Sequence, residues 1–284
     1  MQNTLQWYPG HMAKTRRLIE DNLKMIDVVV EILDARIPLS GRNPNFDDII
    51  KNKPRLLVMN KADLADDAVT GEWIAYFKAQ GVKVIPISCT TGQGISTVLS
   101  EARNLVRDRI ERDAQRGRTR TLKLMMVGIP NVGKSSLINR LLGKASTKTG
   151  DRPGVTRGKQ WLAIKGDAEL LDTPGILPPK FEDQEMAKRL AFTGAIKDEI
   201  INRELLAYSL CEYLRDNYAT ELCERYKIKD DISELQGYEV LELIGRRRGF
   251  VISGGEVDME RAANIVLDEL RSARIGRITL ERPE

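Results

Sequence analysis

The sequence predicts an α/β fold: a mostly parallel sheet flanked by helices, followed by a mostly helical C-terminal domain. Three observations carry this. The run Asp27–Leu33 (DVVVEIL) is apolar on both faces, as in a strand covered by helices on either side. Helix-period stretches, rather than tight hairpin turns, separate it from the next apolar runs, which is the alternation that builds a parallel sheet. After Pro178-Pro179 the strand pattern fades and apolar residues recur at three- and four-residue spacing.

Taken in order, strands are expected at Asp27–Leu33, Leu56–Met59 and Val82–Ile87, with helices at about Asp67–Gln80 and Ile95–Arg112. Ala114–Thr121 (AQRGRTRT) is polar and holds a glycine, so it reads as a linker. A buried strand follows at Leu122–Val127, then a glycine loop and a helix over Lys134–Leu142. Two short strands fit Trp161–Ile164 and Glu169–Leu171. Amphipathic helices are expected at about 184–193, 198–217 and 258–272; in the last, Met259, Ala263, Val266 and Leu270 share one face. These elements divide into a domain over 1–178, which includes an N-terminal segment 1–25, and a helical domain over 179–284.

Length and composition exclude several classes. A chain of 284 residues can bury one full core and more comfortably forms two domains. With 30% charged and 42% hydrophobic residues it reads as an ordinary soluble protein. No apolar run is long enough for a membrane span, and the first residues resemble neither a secretory signal nor a transit peptide. Cys89, Cys211 and Cys223 show no paired spacing, so neither a disulfide framework nor a zinc site is suggested, and a reducing cytoplasm fits. A monomer is expected.

The net charge of +4 is modest, but its distribution is uneven. Seven basic residues (107, 109, 112, 116, 118, 120, 123) face three acidic ones between Arg107 and Lys123. Arg246-Arg247-Arg248 form a second knot, and Lys14, Arg16, Arg17 and Lys24 a third. For each cluster alone, a solvated helix face or linker is as good a reading as a binding patch. Together they favour a polyanionic partner, RNA more than a membrane.

The chemistry is carried by two motif groups. Gly128-Ile-Pro-Asn-Val-Gly-Lys134-Ser135 matches G-x-x-x-x-G-K-[ST], with a buried strand before it and a helix after it. Backbone N–H groups over Asn131, Val132, Gly133, Lys134, Ser135 and Ser136 can cradle phosphate at the helix N-terminus. Lys134 should reach the β- and γ-phosphates and contribute to catalysis, and the Ser135 hydroxyl should bind Mg²⁺. Asp172-Thr-Pro-Gly175 follows an apolar strand, placing a carboxylate that can hold Mg²⁺ through water and a glycine N–H for the γ-phosphate. Thr156 is the expected second hydroxyl ligand, with Thr149 the alternative.

The second group selects the base. Asn60-Lys61-Ala62-Asp63 follows a strand, and an Asp there can accept both the guanine N1–H and its exocyclic amino group. Adenine offers no such donor pair, and leaving buried polar groups unpaired discriminates strongly. Ser88-Cys89-Thr90, at the end of the third strand, fits the loop that closes on the base. The ligand is therefore GTP or GDP. An ATP-dependent kinase would explain the phosphate loop but not Asn60, Lys61 and Asp63.

The order of these segments is the reverse of the usual one, with 60–63 and 88–90 upstream of 128–135, Thr156 and 172–175. The chain thus resembles circularly permuted GTPases, and among them the ribosome biogenesis GTPase A (YlqF) family. The resemblance covers nearly the whole length. It rests on Trp7-Tyr-Pro-Gly-His-Met-Ala-Lys14, Asp34-Ala-Arg-Ile-Pro38, Gly128–Ser136, Thr149-Gly-Asp-Arg-Pro-Gly154 and Ser253-Gly-Gly255. It implies a cytoplasmic GTPase acting late in large (50S) ribosomal subunit assembly, bound to pre-ribosomal particles and rRNA as the GTP form and released on hydrolysis.

Catalysis departs from the common pattern. Ile176 follows D-T-P-G, where many GTPases place a glutamine that orients the attacking water. The resemblance points to His11, the only histidine, as the catalytic side chain; the same residue could instead pack the N-terminal segment or touch RNA. Asn131 resembles the asparagine of monovalent-cation-dependent GTPases, where it helps hold K⁺, and could equally just shape its loop. A pure RNA-binding scaffold that merely holds nucleotide is the competing class.

Overall fold

The computed structural model describes residues 9–43, 45–50, 53–143, 160–164, 167–175, 184–196 and 202–283, with backbone alone for 9–15, 45 and 160. Helix α1 (Pro9–Leu23) leads into β1 (Val28–Asp34), whose seven residues are all buried. After α2 (Asn45–Ile50) come β2 (Arg55–Asn60), α3 (Asp67–Ala79) and β3 (Lys83–Pro86). Then follow α4 (Ile95–Asn104), α5 (Arg107–Gln115), β4 (Leu122–Val127), α6 (Lys134–Leu142), β5 (Gln160–Ile164) and β6 (Ala168–Asp172). The six strands form one sheet in the order β3-β2-β1-β4-β6-β5, and only the β5–β6 pairing is antiparallel.

Burial on both faces explains the unbroken apolar runs. Val28, Val30 and Ile32 of β1 join a core with Val98 and Ala102 of α4 and Leu137 and Ile138 of α6. On the opposite face, Val29 packs with Ile19, Phe46 and Ile50 from α1 and α2, while Leu33 packs with Trp73 and Phe77 of α3. Helix α3 starts where the Asp66 carboxylate accepts the N–H groups of Ala68 and Val69, a side-chain cap for otherwise orphaned donors.

The later part contains α7 (Gln184–Phe192), α8 (Arg203–Asn217), α9 (Ala219–Tyr226), α10 (Gly237–Arg247) and α11 (Met259–Arg271). Leu206, Leu210 and Leu214 of α8 pack with Val240, Leu241 and Ile244 of α10 and with Ala263, Val266 and Leu270 of α11. The stripe expected on the last helix is therefore core. Asn202 caps α8 through Glu204 and Leu205 N–H, so that helix begins at 203 rather than near 198.

Two expectations differ from the structure. The helix expected over Ile95–Arg112 is two helices, interrupted where Leu105 and Val106 turn inward and Val106 N–H bonds to the Arg103 carbonyl. The linker expected from Ala114 begins later, because α5 runs to Gln115. Helices α1, α2, α9 and α10 have no counterpart among the expected elements.

Candidate active site

Loops leaving the carboxyl ends of the parallel strands gather at one edge of the sheet. Strand order reverses between β1 and β4, which is where open α/β sheets leave a crevice for ligands. Residues 34–38 leave β1 there, 60–63 leave β2, 88–90 follow β3, 128–135 leave β4 and 172–175 leave β6.

Asn60 ties three of these loops together. Its Nδ2 donates to the Val132 carbonyl at 2.8 Å, and its Oδ1 accepts from Cys89 N–H at 3.0 Å. One carboxamide can serve both groups because it carries donor and acceptor, which a carboxylate does not. Gly133 sits against this amide at φ 97°, and a Cβ there would collide with Asn60 Nδ2. Segments 60–63, 88–90 and 128–135, which lie far apart in the chain, are thus in direct contact.

Lys61 adopts a left-handed conformation (φ 61°), and its ammonium lies 2.9 Å from Asp34 Oδ2. Arg36 grips the same carboxylate through Nε (3.0 Å) and Nη2 (2.8 Å). Burial alone would raise the Asp34 pKa, yet the Arg36 and Lys61 cations hold it well below the usual carboxylate range. Ala62–Leu64 form a single 3₁₀ turn that carries Asp63. Asp63 Oδ1 is shielded from solvent and has no hydrogen-bond partner. A buried acceptor of that kind fits a ligand with adjacent N–H donors, as guanine has.

In the loop after β3, Ser88 is fully buried and its Oγ accepts from Thr91 N–H at 3.0 Å, so this side chain shapes the loop. Half-buried Cys89 has its thiol pushed up to about 11 by burial, which keeps it neutral. Thr90 is exposed. Arg140 on α6 donates to the carbonyls of Cys89 (2.9 Å) and Thr90 (2.7 Å), pinning the loop to the helix that follows the phosphate loop. No sequence motif marks Arg140.

In the phosphate loop, Asn131 is left-handed (φ 58°), and its Nδ2 donates to the Gly194 carbonyl at 2.9 Å. The turn after α7 therefore rests on the phosphate loop itself. Val132 is buried, and Lys134 begins α6 with its ammonium buried. Burial lowers the Lys134 pKa to about 8, a shift that the nearby Asp172 carboxylate opposes. Ser135 and Ser136 are half-buried in the first turn of α6. Thr173 Oγ1 donates to the Met126 carbonyl at 2.6 Å, anchoring 172–175 to β4. A Cβ on Gly175 would lie 2.8 Å from Pro130 N, so only glycine lets this loop approach the phosphate loop so closely.

Among the described residues no cluster of three or more His, Cys, Asp or Glu could cage a metal. Mg²⁺ does not need one, since it takes one or two protein oxygens and completes its shell with phosphate and water. The Ser135 hydroxyl and the buried Asp172 carboxylate are oxygen donors of that kind. His11 lies on α1, but its side chain is outside the described residues, as are Thr149, Thr156 and Ile176.

The basic clusters are less free than the sequence suggests. Arg246 pairs with Glu242, Arg247 with Asp230 and Arg248 with buried Glu269. Arg109 and Arg120 both reach the buried Asp27 carboxylate. Among the described residues no helix is long and apolar enough to cross a membrane.

This sheet, with the Asn60–Asp63 turn on β2 upstream of the phosphate loop on β4, is that of a circularly permuted P-loop GTPase, which binds guanine nucleotide and hydrolyses GTP. A family model described as 50S ribosome-binding GTPase matches residues 123–233. Ribosome biogenesis GTPase A of Bacillus cereus is 48% identical over 281 residues, covering 99% of this chain and 94% of that one. The GDP-bound structure of Thermotoga maritima YlqF superimposes with a TM-score of 0.66 at 28% identity, covering 94% and 99% of the two chains. The GNP-bound form gives 0.64 at 28% identity, covering 95% and 99%. The chain belongs to the ribosome biogenesis GTPase A family, whose members serve in ribosome biogenesis.

Proposed function

We propose that this GTPase acts in late maturation of the large (50S) ribosomal subunit, binding pre-ribosomal particles and rRNA as the GTP form and leaving on hydrolysis. The observation that carries the coupling is the bond from Asn131 in the phosphate loop to Gly194 after α7. Residues 1–178 are taken as the nucleotide domain and 179–284 as the particle-binding module, acting as a monomer in the cytoplasm. A helical module seated on the phosphate loop can be re-oriented when γ-phosphate arrives or departs. Co-sedimentation with large-subunit precursors should occur with a GTP analogue and be lost with GDP. Equal sedimentation in both states would rule out nucleotide-gated binding.

Within the site, Asp63 accepts the guanine edge, with Asn60, Lys61 and the loop of Ser88, Cys89 and Thr90 supporting it. The backbone over Asn131–Ser136 holds the phosphates, and Lys134 stabilises charge on the β–γ bridge as the bond to the γ-phosphorus breaks. Gly175 N–H binds the γ-phosphate. Ser135, Thr156 and Asp172 (through water) would hold Mg²⁺, which when bound neutralises charge on the β- and γ-oxygens.

An aliphatic side chain at position 176 cannot orient water, so another group must. His11 is assigned that role. His11→Ala should lower particle-stimulated kcat about a hundredfold or more while leaving GTP affinity nearly intact. Unchanged stimulated kcat would remove the assignment. Asn131 is proposed to contribute a ligand to K⁺; with its nitrogen bonded to Gly194, the ligand atom is its oxygen. Hydrolysis should then be faster in K⁺ than in Na⁺ at equal ionic strength, and equal rates would exclude the cation.

A further inference from the structure

The chain beyond α11 returns to the sheet and runs along the guanine-reading turn. Arg277 Nη2 donates to the Ala62 carbonyl at 2.7 Å, inside the Asn60–Asp63 motif, and the same guanidinium pairs with Asp67 at the start of α3. One residue on, Ile278 N–H donates to the Leu64 carbonyl at 3.2 Å, and Thr279 Oγ1 accepts from Asp66 N–H at 3.0 Å. Leu280 N–H then donates to the Arg36 carbonyl at 2.8 Å. Glu281 accepts from Ser40 N–H at 2.9 Å and from Arg189 of α7 at 3.2 Å. Ile278, Thr279 and Leu280 are each 1% exposed. The strap thus touches the chain on both sides of the residue assigned to the base, at Ala62 before it and at Leu64 and Asp66 after it, and also holds the backbone of Arg36, the partner of Asp34.

We infer that Arg277–Glu281 is a structural part of the nucleotide site, and that Arg277 is a positioning residue for guanine recognition by Asp63. The physical need is local. Ala62–Leu64 form one isolated 3₁₀ turn after a left-handed Lys61. A turn that short does not hold its geometry alone, because a single hydrogen-bonded turn fixes several dihedral angles for one bond. Arg277 and Ile278 satisfy the Ala62 and Leu64 carbonyls and so fix the direction of the Asp63 carboxylate before nucleotide arrives. Pre-organisation of this kind mainly slows dissociation. The helices of the second half thereby set how long nucleotide stays bound, through a segment distant in sequence from every nucleotide motif.

The inference rests on the reading of Asp63 as the guanine acceptor, so its test must separate the two. Dissociation of fluorescent GDP and of the matching inosine diphosphate, which lacks the 2-amino group, is measured by stopped flow on the full chain. Arg277→Ala should raise the GDP off-rate about tenfold, with a smaller rise for inosine diphosphate, so that discrimination between them falls. Arg277→Met keeps the stem but donates to neither Asp67 nor Ala62, and should resemble alanine. Arg282→Ala removes an ion pair with Glu72 from the residue that follows the strap, away from the turn, and should match wild type. An unchanged GDP off-rate and GDP-to-inosine ratio in Arg277→Ala would overturn the inference, as would an equal effect from Arg282→Ala. If the alanine variant does not fold, unchanged rates in Arg277→Met would overturn it instead. Unchanged GDP binding in Asp63→Asn would sink the underlying reading; a loss there, with Arg277→Ala unchanged, would sink the strap alone.

Discussion

Replacing Asp63 by asparagine should weaken GTP binding about a hundredfold or more and create affinity for xanthosine triphosphate. The carboxylate offers only acceptors, which match the guanine N1–H and 2-amino donors. Asparagine turns an NH₂ toward one of them, leaving a buried donor facing a donor. Hydrogen bonds to a charged group are each worth about 1.5–3 kcal/mol; the variant loses one outright, loses the charge on the other, and leaves a buried donor unpaired at a cost of about 1–3 kcal/mol, which together reach about two orders of magnitude. Xanthine carries a carbonyl where guanine has the amino group, and the new NH₂ can donate to it. Competition binding with GTP, xanthosine triphosphate and ATP measures this directly. Retained GTP preference in the variant would mean that the unpartnered Asp63 Oδ1 does not face the base.

Lys134→Met should lower kcat for GTP hydrolysis about 10²–10³-fold while keeping the buried stem of the side chain in place. The pH response distinguishes this charge from simple packing. In the nucleotide-free protein the ammonium titrates at about 8 rather than 10.5, because burial disfavours its charged form. Between those values the unfolded chain holds the proton and the folded chain does not, so this group makes stability rise with pH across that window. Phosphates placed beside it would draw the pKa back up. Nucleotide binding then takes up a proton above about pH 8, and affinity falls as pH rises. In Lys134→Met both contributions should vanish. They are read as the wild-type-minus-variant difference in melting temperature and in Kd between about pH 7.5 and about pH 9.5. A difference that does not change with pH would place the titrating group elsewhere.

Much of the fold was legible because buried parallel strands announce themselves. The run at 27–33 became Val28–Asp34, and 122–127 became Leu122–Val127. The candidate site segments stand out in the sequence for a related reason: 60–63, 128–135 and 172–175 are each contiguous, and a phosphate loop is defined by backbone geometry that a short motif specifies. What could not be read was made by contacts between distant segments. Arg140 is an unremarkable helix residue until it meets the Cys89 and Thr90 carbonyls. The same holds for Asn131 on Gly194 and Arg277 on Ala62. The arginine run 246–248 looked like a positive patch, but Glu242, Asp230 and Glu269 reach it from three different parts of the chain. The break at Leu105-Val106 was hidden because the apolar period continues through it while the backbone turns.

The reversed order of motifs gains its meaning from two contacts. Asn60 closes the permuted chain into one nucleotide site, and Asn131 on Gly194 places the helical part directly upon it. Under the proposed function, nucleotide state governs engagement of the large-subunit precursor. Cross-linking the protein to cellular RNA, with a GTP analogue or with GDP, and mapping the contacted nucleotides tests it most directly. The account predicts cross-links concentrated in large-subunit rRNA with the analogue and largely absent with GDP. Cross-links scattered over other RNAs, or the same large-subunit sites at equal strength in both states, would contradict it.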